Sequence, residues 1–249
     1  MVKVSSEVQV NYRSFADSVP RVVKSNAEKL KGKQHLVESY ARIASLNALK
    51  FDLVEICFSK EACHFFYEAH NDALLSHFNA SIGSWRLALQ SLRSLMENTL
   101  AAIYFTDHPI ELQKWEKDSF RIPPRELREY VARHPKIESF STDIELLGHF
   151  NQEYSTLSKA VHASDNLFRM TSADGKTNIA ETSDAGLGKW AARERNTINL
   201  CAVSIVAIWH EHLDGAKMYD LRRSLGYSIQ KKGRNALKKH FSVNIPEPK

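Results

Sequence analysis

The residues between Ile82 and Phe105 form one of the most apolar stretches of the chain, yet polar side chains recur along it at helical spacing. On a helix these side chains fall within one narrow sector, and leucines and aromatic residues border that sector on both sides. A buried charge is costly unless it is paired, so we predict a partly buried polar pocket inside a helical body. The polar stripe consists of Arg86, Gln90, Arg93, Glu97 and Tyr104.

Apolar residues recur at three- and four-residue steps through most of the chain, which predicts an all-α fold. The 249 residues include only 9 glycines and 7 prolines, a composition that disfavours a turn-rich β protein. We predict one bundle of four long helices with shorter peripheral helices over residues 26–215, with residues 171–188 forming a polar loop. Residues 1–25 are predicted to form an N-terminal arm, extended or loosely attached up to Pro20. Residues 216–249 are predicted to form basic helices and a tail.

The basic charge of the chain is concentrated near its C-terminus. Between Asp220 and His240, seven basic residues stand against one acidic residue, so this segment carries +6 while the whole chain carries +5. Such a cluster binds nucleic-acid phosphates, docks on an acidic protein partner, or remains a solvated surface. The candidate nucleic-acid-binding residues are Arg222, Arg223, Lys231, Lys232, Arg234, Lys238 and Lys239.

Composition and motifs disfavour several classes of function. The first residues contain no positive region followed by an apolar run, so we expect no secretory signal, and no apolar stretch has the length of a membrane span. Three cysteines without a CxxC pair indicate neither a disulfide framework nor a zinc ribbon. With no phosphate-binding glycine loop or metal-ligand spacing, we expect no cofactor and no metal. The simplest location for such a chain is the cytoplasm.

A second polar set lies near the end of a long helix predicted over residues 143–163, for which residues 141–143 are a good N-cap signal. Its members are four residues apart and therefore share one face of the helix. If this face meets the polar stripe, Arg93 and Glu97 lie opposite Ser158 and His162. The second set consists of Tyr154, Ser158 and His162.

These two sets can serve catalysis or structure. A glutamate beside an imidazole orients the ring and raises its pKa, and an arginine can hold a phosphate, so Arg93, Glu97 and His162 are candidate catalytic residues for a phosphodiester. The alternative is a buried hydrogen-bond network that fixes the register of the helices. The residues that would support the pocket are Arg86, Gln90, Tyr104, Tyr154 and Ser158.

The string RSLMENTLAAIYF, followed later by YSTLSKAVHAS, resembles a set of uncharacterised bacterial helical proteins loosely allied to the HEPN superfamily. The shared pattern is an arginine–x3–glutamate helix followed by a tyrosine–x2–leucine-serine–x2–valine-histidine helix. The resemblance implies an HEPN-like helical bundle, of a kind often found near prokaryotic defence or toxin–antitoxin systems. The matching positions are Arg93, Glu97, Tyr154, Leu157, Ser158, Val161 and His162.

Ribonuclease members of the HEPN superfamily carry an arginine and a histidine separated by four to six residues. Arg128 and His134 have this spacing here, with five residues between them. Their context is a short segment framed by prolines, and Glu129 follows the arginine where active members favour a small polar group. This pair is therefore the weaker alternative to the set of Arg93 and His162.

Two functions remain open on the sequence. The first is a prokaryotic antiphage-defence or toxin–antitoxin component that acts on or alongside nucleic acid, as an HEPN-like ribonuclease effector. The second is a non-catalytic interaction subunit that docks a partner protein, in which the polar stripe is structural. In both cases we expect an oligomer or a subunit of a complex without a membrane anchor.

Overall fold

The computed structural model describes residues 5–161, 179–215 and 218–248. All regular secondary structure in these ranges is helical, so the predicted all-α class is confirmed. A π-helical turn and two 3₁₀ turns accompany the α-helices, at Lys50–Val54, Pro135–Ile137 and His210–Leu213. The α-helices are α1 (Ser6–Leu30), α2 (Gln34–Leu49), α3 (Glu55–Cys57), α4 (Lys60–Ser81), α5 (Trp85–Asp107), α6 (Pro109–Glu116), α7 (Pro124–Ala132), α8 (Glu138–Ile144), α9 (Leu146–Val161), α10 (Asp184–Ile208), α11 (Tyr219–Ser228) and α12 (Lys231–Phe241).

Helix α5, which carries the polar stripe, lies at the centre of the bundle. It packs against α4 along most of its length and also contacts α9, α10 and α7, while α2 packs against α10 and α11. One contiguous hydrophobic core fills the space between these helices. Its largest fully buried side chains include Trp190, Phe66, Phe105, Phe140 and Phe150. The HEPN-like arrangement of this bundle stays a prediction.

Local signals explain where several of the helices begin. The hydroxyl of Ser59 accepts a hydrogen bond from the backbone N–H of Ala62 and caps α4, and prolines occupy the first turns of α6 and α7. The turn before α5 needs Gly83, because its φ is +77° and a Cβ there would lie 2.3 Å from the carbonyl oxygen of Glu181. This turn therefore sets the close approach between the start of α5 and the segment that leads into α10.

From Ser6 to Pro20 the N-terminal segment is helical, so of the two predicted alternatives, extended or loosely attached, the extended one is wrong there. Residues 1–4 lie outside the described residues. Ser5 caps α1 by accepting a hydrogen bond from the backbone N–H of Val8, and Glu7 in the first turn favours the helix dipole. Val2, Val4, Val8 and Val10 alternate weakly with other residues, a pattern that fits an extended arm, but a longer repeat at four- and three-residue steps extends through this helix. Only Asn26 and Leu30 of α1 are buried.

The predicted helix over residues 143–163 is divided into α8 and α9. Glu145 separates them in a left-handed conformation with a φ of 57°. Residues 141–143 therefore lie inside α8 instead of forming an N-cap, and the hydroxyl of Thr142 donates back to the carbonyl oxygen of Glu138 at 3.0 Å. Serine, threonine and aspartate form such local bonds in both settings, which is why the sequence signal was ambiguous.

The predicted loop over residues 171–188 ends earlier than expected, because α10 begins at Asp184. The hydroxyl of Ser183 accepts a hydrogen bond from the backbone N–H of Gly186 and caps this helix. Residues 171–178 lie outside the described residues. Within the described part of the chain, none of the helices combines the length and the apolar character that a membrane crossing requires.

A buried ion pair joins α2 to α10. The Arg42 guanidinium donates from Nε to Oε2 of Glu194 over 2.7 Å, and both side chains are almost fully buried. Burial raises the pKa of Glu194, and the cation of Arg42 opposes that shift. Removing the cation would leave a carboxylate in the core without its counterion.

We expect Arg42→Met to lower the free energy of unfolding by about 3–5 kcal/mol at neutral pH, because it breaks a buried pair. Since burial holds the pKa of Glu194 above its unfolded value, the loss should shrink as the pH falls towards the ordinary carboxyl range. Urea denaturation of the full chain at several pH values measures both effects.

Two variants control this measurement. Arg195→Met changes an exposed neighbour on α10 and should alter stability by less than about 0.5 kcal/mol. The double variant Arg42→Met, Glu194→Leu replaces both charges by apolar side chains and should recover most of the loss. A single Arg42→Met variant as stable as the parent would contradict the assigned role of the pair.

Candidate functional site

The structure brings Arg93, Glu97 and Tyr154 together. The two polar faces meet, but the residue that bonds to Arg93 and Glu97 is Tyr154, one helical turn before the predicted Ser158. Nε of Arg93 donates to Oε1 of Glu97 over 2.9 Å, and Nη2 of Arg93 donates to the Tyr154 hydroxyl over 2.7 Å. The Tyr154 hydroxyl in turn donates to Oε1 of Glu97 over 2.8 Å. The three side chains form a closed ring of hydrogen bonds between α5 and α9.

Arg128, from the weaker predicted pair, joins the same cluster. Its guanidinium carbon lies 4.0 Å from the centroid of the Tyr154 ring, and that of Arg93 lies 4.9 Å from it. Nε of Arg128 also donates to Oδ1 of Asn151 over 2.9 Å. Two residues that the sequence placed in separate candidate sites, Arg93 and Arg128, therefore contact one tyrosine.

Burial and pairing compete in this cluster. Burial alone disfavours the charged form of Arg93, but its bonds with Glu97 and Tyr154 outweigh burial and raise its pKa. Burial raises the pKa of the Tyr154 hydroxyl, and the hydrogen bond to Glu97 adds to that effect. Burial lowers the pKa of Arg128. The Tyr154 hydroxyl is thus held protonated between a cation and a carboxylate, an arrangement that suits a structural hydrogen bond.

His134 contacts a different set of residues from Arg128. Its Nε2 lies 3.2 Å from Oδ2 of Asp107, and its Nδ1 accepts a hydrogen bond from the backbone N–H of Lys136. The hydroxyl of Tyr130 donates to the same Asp107 oxygen over 2.8 Å. Both ring nitrogens of His134 are occupied and the residue is buried, so its contacts join the end of α5 to the turn after α7.

The other predicted pocket residues are not part of this ring. Gln90 is exposed, and Arg86 is half-buried with an Nε atom that has no hydrogen-bond partner among the described residues. Tyr104 stacks on the ring of His108 with 4.1 Å between the centroids. Ser158 is half-buried on α9. The predicted catalytic residue His162 lies outside the described residues.

Several of the predicted nucleic-acid-binding residues contact the protein itself. Lys232 lies 3.4 Å from Oε1 of Glu145, and Lys239 lies 3.0 Å from Oδ2 of Asp143. Arg234 forms an ion pair with Glu247, and Arg222 donates a hydrogen bond to the backbone oxygen of Leu213. Within the described residues, Arg223, Lys231 and Lys238 are exposed and form no ion pair.

A polar cavity that the sequence analysis missed lies between α9, α10 and α12. Its lining includes a buried carboxyl group, that of Glu153, which is 3% exposed. Oε2 of Glu153 accepts hydrogen bonds from Arg193 and Asn196 over 3.0 and 3.4 Å. Oε1 of Glu153 is buried and has no hydrogen-bond partner among the described residues. The cavity has a volume of about 320 Å³ and is lined by Ile144, His149, Gln152, Glu153, Arg193, Asn196, Asn199, Leu200, Val203, Gln230, Lys232 and Gly233.

One sequence signal pointed to Glu153. It lies three residues after Phe150 and four before Leu157, both fully buried, so a carboxyl group occupies the apolar face of α9. Burial raises the pKa of Glu153 to about 7, and the charge of Arg193 and the hydrogen bond from Asn196 oppose that shift. A carboxyl group of this kind is a frequent feature of functional sites.

A scan against protein-family models found no family that matches the chain, and searches of curated proteins and of solved structures found no similar protein. The resemblance to HEPN-allied proteins therefore depends on the short motifs around Arg93 and Tyr154. Among the described residues, no group of three or more histidine, cysteine, aspartate or glutamate side chains could hold a metal ion.

We expect Tyr154→Phe to lower the free energy of unfolding by about 1–2 kcal/mol, because it removes two bonds to charged groups that are partly exposed. Tyr219→Phe, at an exposed tyrosine on α11, is the matched control and should leave stability unchanged. Chemical denaturation of both variants gives the comparison. Equal stability of Tyr154→Phe and the parent would show that the ring of hydrogen bonds does not hold α5 to α9.

Proposed function

We propose that this protein is a non-catalytic helical interaction subunit that assembles with a second copy of itself through α1. We place it in a prokaryotic antiphage-defence or toxin–antitoxin complex that works alongside nucleic acid. The support for that setting is the resemblance of the helices around Arg93 and Tyr154 to HEPN-allied proteins. The observation that carries the proposed assembly is an exposed apolar repeat along α1.

The repeat on α1 has the alternating four- and three-residue spacing of a coiled-coil seam. Each of its five side chains is between 39% and 67% exposed. Single exposed apolar residues are ordinary, but a continuous row of them marks an interaction surface. We call this row the α1 seam, and it consists of Val8, Tyr12, Phe15, Val19 and Val22.

The residues beside the seam favour a second copy as the occupant. Charges at these flanking positions select the partner in a coiled coil. The flanking residues of α1 are all uncharged. Two copies of α1 therefore meet no like-charge repulsion, and a charged partner helix finds no complementary charge. Pro20, which removes one helix hydrogen bond, lies on the outer side of α1. The flanking residues are Gln9, Asn11, Ala16, Ser18, Val23 and Ser25.

The sizes of the seam residues favour an antiparallel pair. In that arrangement Tyr12 and Phe15 of one copy lie opposite Val22 and Val19 of the other, so each aromatic ring faces a smaller side chain. A parallel pair would place like residues together and bring the aromatic rings against each other. Alternation of large and small side chains fills an interface better.

The seam ends where α1 meets the body of the protein. Asn26, the next position of the repeat, is buried and donates from Nδ2 to the carbonyl oxygen of Ile82 over 3.0 Å. The antiparallel pair therefore uses the exposed part of α1, with Val8 of each copy beside the point where the other helix joins its body.

We expect the full chain to form a dimer of twice 28.4 kDa in size-exclusion chromatography with light scattering. Val19→Glu places a charge in the middle of the α1 seam and should give a monomer, because a charge there would be buried without a partner. Val10→Glu is the matched control, since Val10 is 63% exposed on the outer side of the same helix. It should leave the dimer intact.

Circular dichroism of both variants separates loss of assembly from loss of structure, because the helix content should stay the same. A monomeric parent protein, or equal dissociation of Val10→Glu and Val19→Glu, would contradict assembly through the α1 seam.

The second candidate function is the HEPN-like ribonuclease effector. What favours it is the convergence of Arg93 and Arg128 on Tyr154 of α9, a helix whose last residue, Val161, directly precedes His162 in the sequence. As a ribonuclease the parent protein would cleave RNA, and His162→Gln would reduce cleavage by roughly two to four orders of magnitude. His212→Gln, at an exposed histidine, would leave cleavage unchanged. Our proposal predicts that the parent protein cleaves no RNA.

In this proposal only three of the seven basic residues of the C-terminal segment contact nucleic acid. Arg223, Lys231 and Lys238 keep their charges available to phosphates, since they have no ion pair among the described residues. Three cations give weak binding that salt reverses readily. This is consistent with a subunit that lies beside nucleic acid within a larger assembly.

A further inference from the structure

The cavity is bordered by the buried carboxyl group of Glu153, in which one of the two oxygen atoms lacks a hydrogen-bond partner among the described residues. The residue is 3% exposed, and this oxygen atom is Oε1. Leaving a buried polar atom unpaired costs about 1–3 kcal/mol. A group from outside the protein that donated a hydrogen bond to Oε1 would remove this penalty.

The charges around the cavity are already paired. Glu153 is bonded to Arg193 over 3.0 Å, and Lys232 lies 3.4 Å from the carboxylate of Glu145. With each cation beside an anion, the cavity offers no net charge to a strongly charged ligand. It therefore suits a neutral polar molecule.

Amide side chains surround the carboxyl group. Asn199 uses its Oδ1 to accept from the backbone N–H of Gln230, so its own Nδ2 faces no partner among the described residues. The amide of Gln230 donates to Asn196 over 3.1 Å, which leaves its oxygen as an acceptor. Donors and acceptors thus alternate around the cavity, as they do along the edge of a cyclic amide.

The remaining walls of the cavity are apolar. Ile144, Leu200 and Val203 contribute aliphatic side chains that can contact the faces of a flat ring. A volume of about 320 Å³ lies at the lower end of the range for small-molecule sites, so one ring system fits and a larger ligand does not.

We propose that this cavity binds a small neutral molecule with a cyclic amide edge, an N–H beside a C=O, as uracil and guanine carry it. Neighbouring atoms cover Oε1 of Glu153, so the carboxyl group turns towards the cavity to accept the ligand N–H, and Arg193 or Asn199 donates to the ligand carbonyl. The aliphatic side chains contact the two faces of the ring. This inference is independent of assembly through α1.

The protonation of Glu153 gives the site a pH dependence. Burial raises its pKa to about 7, and only the ionised carboxylate can accept at Oε1. Affinity should therefore be full above that pH and fall about tenfold for each unit below it. The other ionisable groups that border the cavity are His149 on α9, Arg193 on α10 and Lys232 on α12.

The test uses the full chain and isothermal titration calorimetry at pH 8. We expect uridine or guanosine to bind, and 3-methyluridine and 1-methylguanosine to bind at least about tenfold more weakly, because a methyl group replaces the ring N–H. This comparison requires no variant and so does not depend on folding. Equal binding of the methylated and unmethylated nucleosides would overturn the proposal.

The cyclic amide edge could belong to a free small molecule or to an unstacked base of a nucleic acid, and a short single-stranded oligouridylate distinguishes the two. Binding of free uridine assigns the cavity to a small molecule, whereas binding of the oligonucleotide alone, abolished by 3-methylation, assigns it to an unstacked base. Binding of neither probe overturns the proposal.

Two variants connect binding to the carboxylate. Glu153→Gln should weaken uridine binding at least about tenfold and remove its dependence on pH between 6 and 8, because an amide does not titrate. Glu138→Gln, at an exposed glutamate on α8, should change neither. Retained pH dependence in Glu153→Gln would assign that dependence to another group and contradict the role of Glu153.

Discussion

Two neighbouring residues of α10 carry opposite charges into two different interfaces of the bundle, and the register of α2 and of α9 against α10 depends on their pairing. Glu194 binds Arg42 of α2, and Arg193 binds Glu153 of α9. A buried pair adds little net stability compared with apolar residues, but an unpaired buried charge is strongly unfavourable. A change of register between α10 and either neighbour would create such a charge, so the two pairs disfavour other packings.

The body of the protein and its N-terminal helix differ in whether their side chains find partners within the chain. In the body, the polar groups of α5 and α9 bond to each other through Arg93, Glu97 and Tyr154, which leaves them few hydrogen bonds to offer a substrate. In α1 the apolar residues of the seam remain exposed, and only Asn26 and Leu30 are buried. Exposed polar groups are solvated and need no partner, but a continuous apolar row does. This contrast favours an interaction subunit over an enzyme.

The fold class and part of the site were predictable because they depend on local spacing. The helical period predicts the all-α fold, and the four-residue step from Arg93 to Glu97 predicts their ion pair. Pairing the two polar faces predicted that α5 meets α9, but with Ser158 and His162 opposite Arg93 and Glu97, whereas the structure places Tyr154 there. The helical state of α1 was not predicted, because the short valine alternation at its start and the longer four- and three-residue repeat indicate different structures.

The remaining features depend on contacts between residues that are distant in sequence. Arg128 meets Tyr154, and Lys232 and Lys239 meet acidic residues of α8 and its C-terminal end, only because the fold brings these helices together. The cavity beside Glu153 needs walls from three helices, and a single sequence does not show which helices are neighbours. A glutamate on an apolar helix face marks a point to examine, but the partner that it lacks is visible only in the structure.

The most direct test of assembly is a disulfide between two copies of α1. A chain with Tyr12→Cys is mixed with a chain with Val22→Cys and oxidised gently. Two of the native cysteines, Cys63 and Cys201, are buried, and burial raises the pKa of the third, Cys57, to about 11, so they react slowly. The antiparallel pair predicts a rapid disulfide between residues 12 and 22 of different copies. A disulfide between two copies of residue 12, or none at all, would contradict the account.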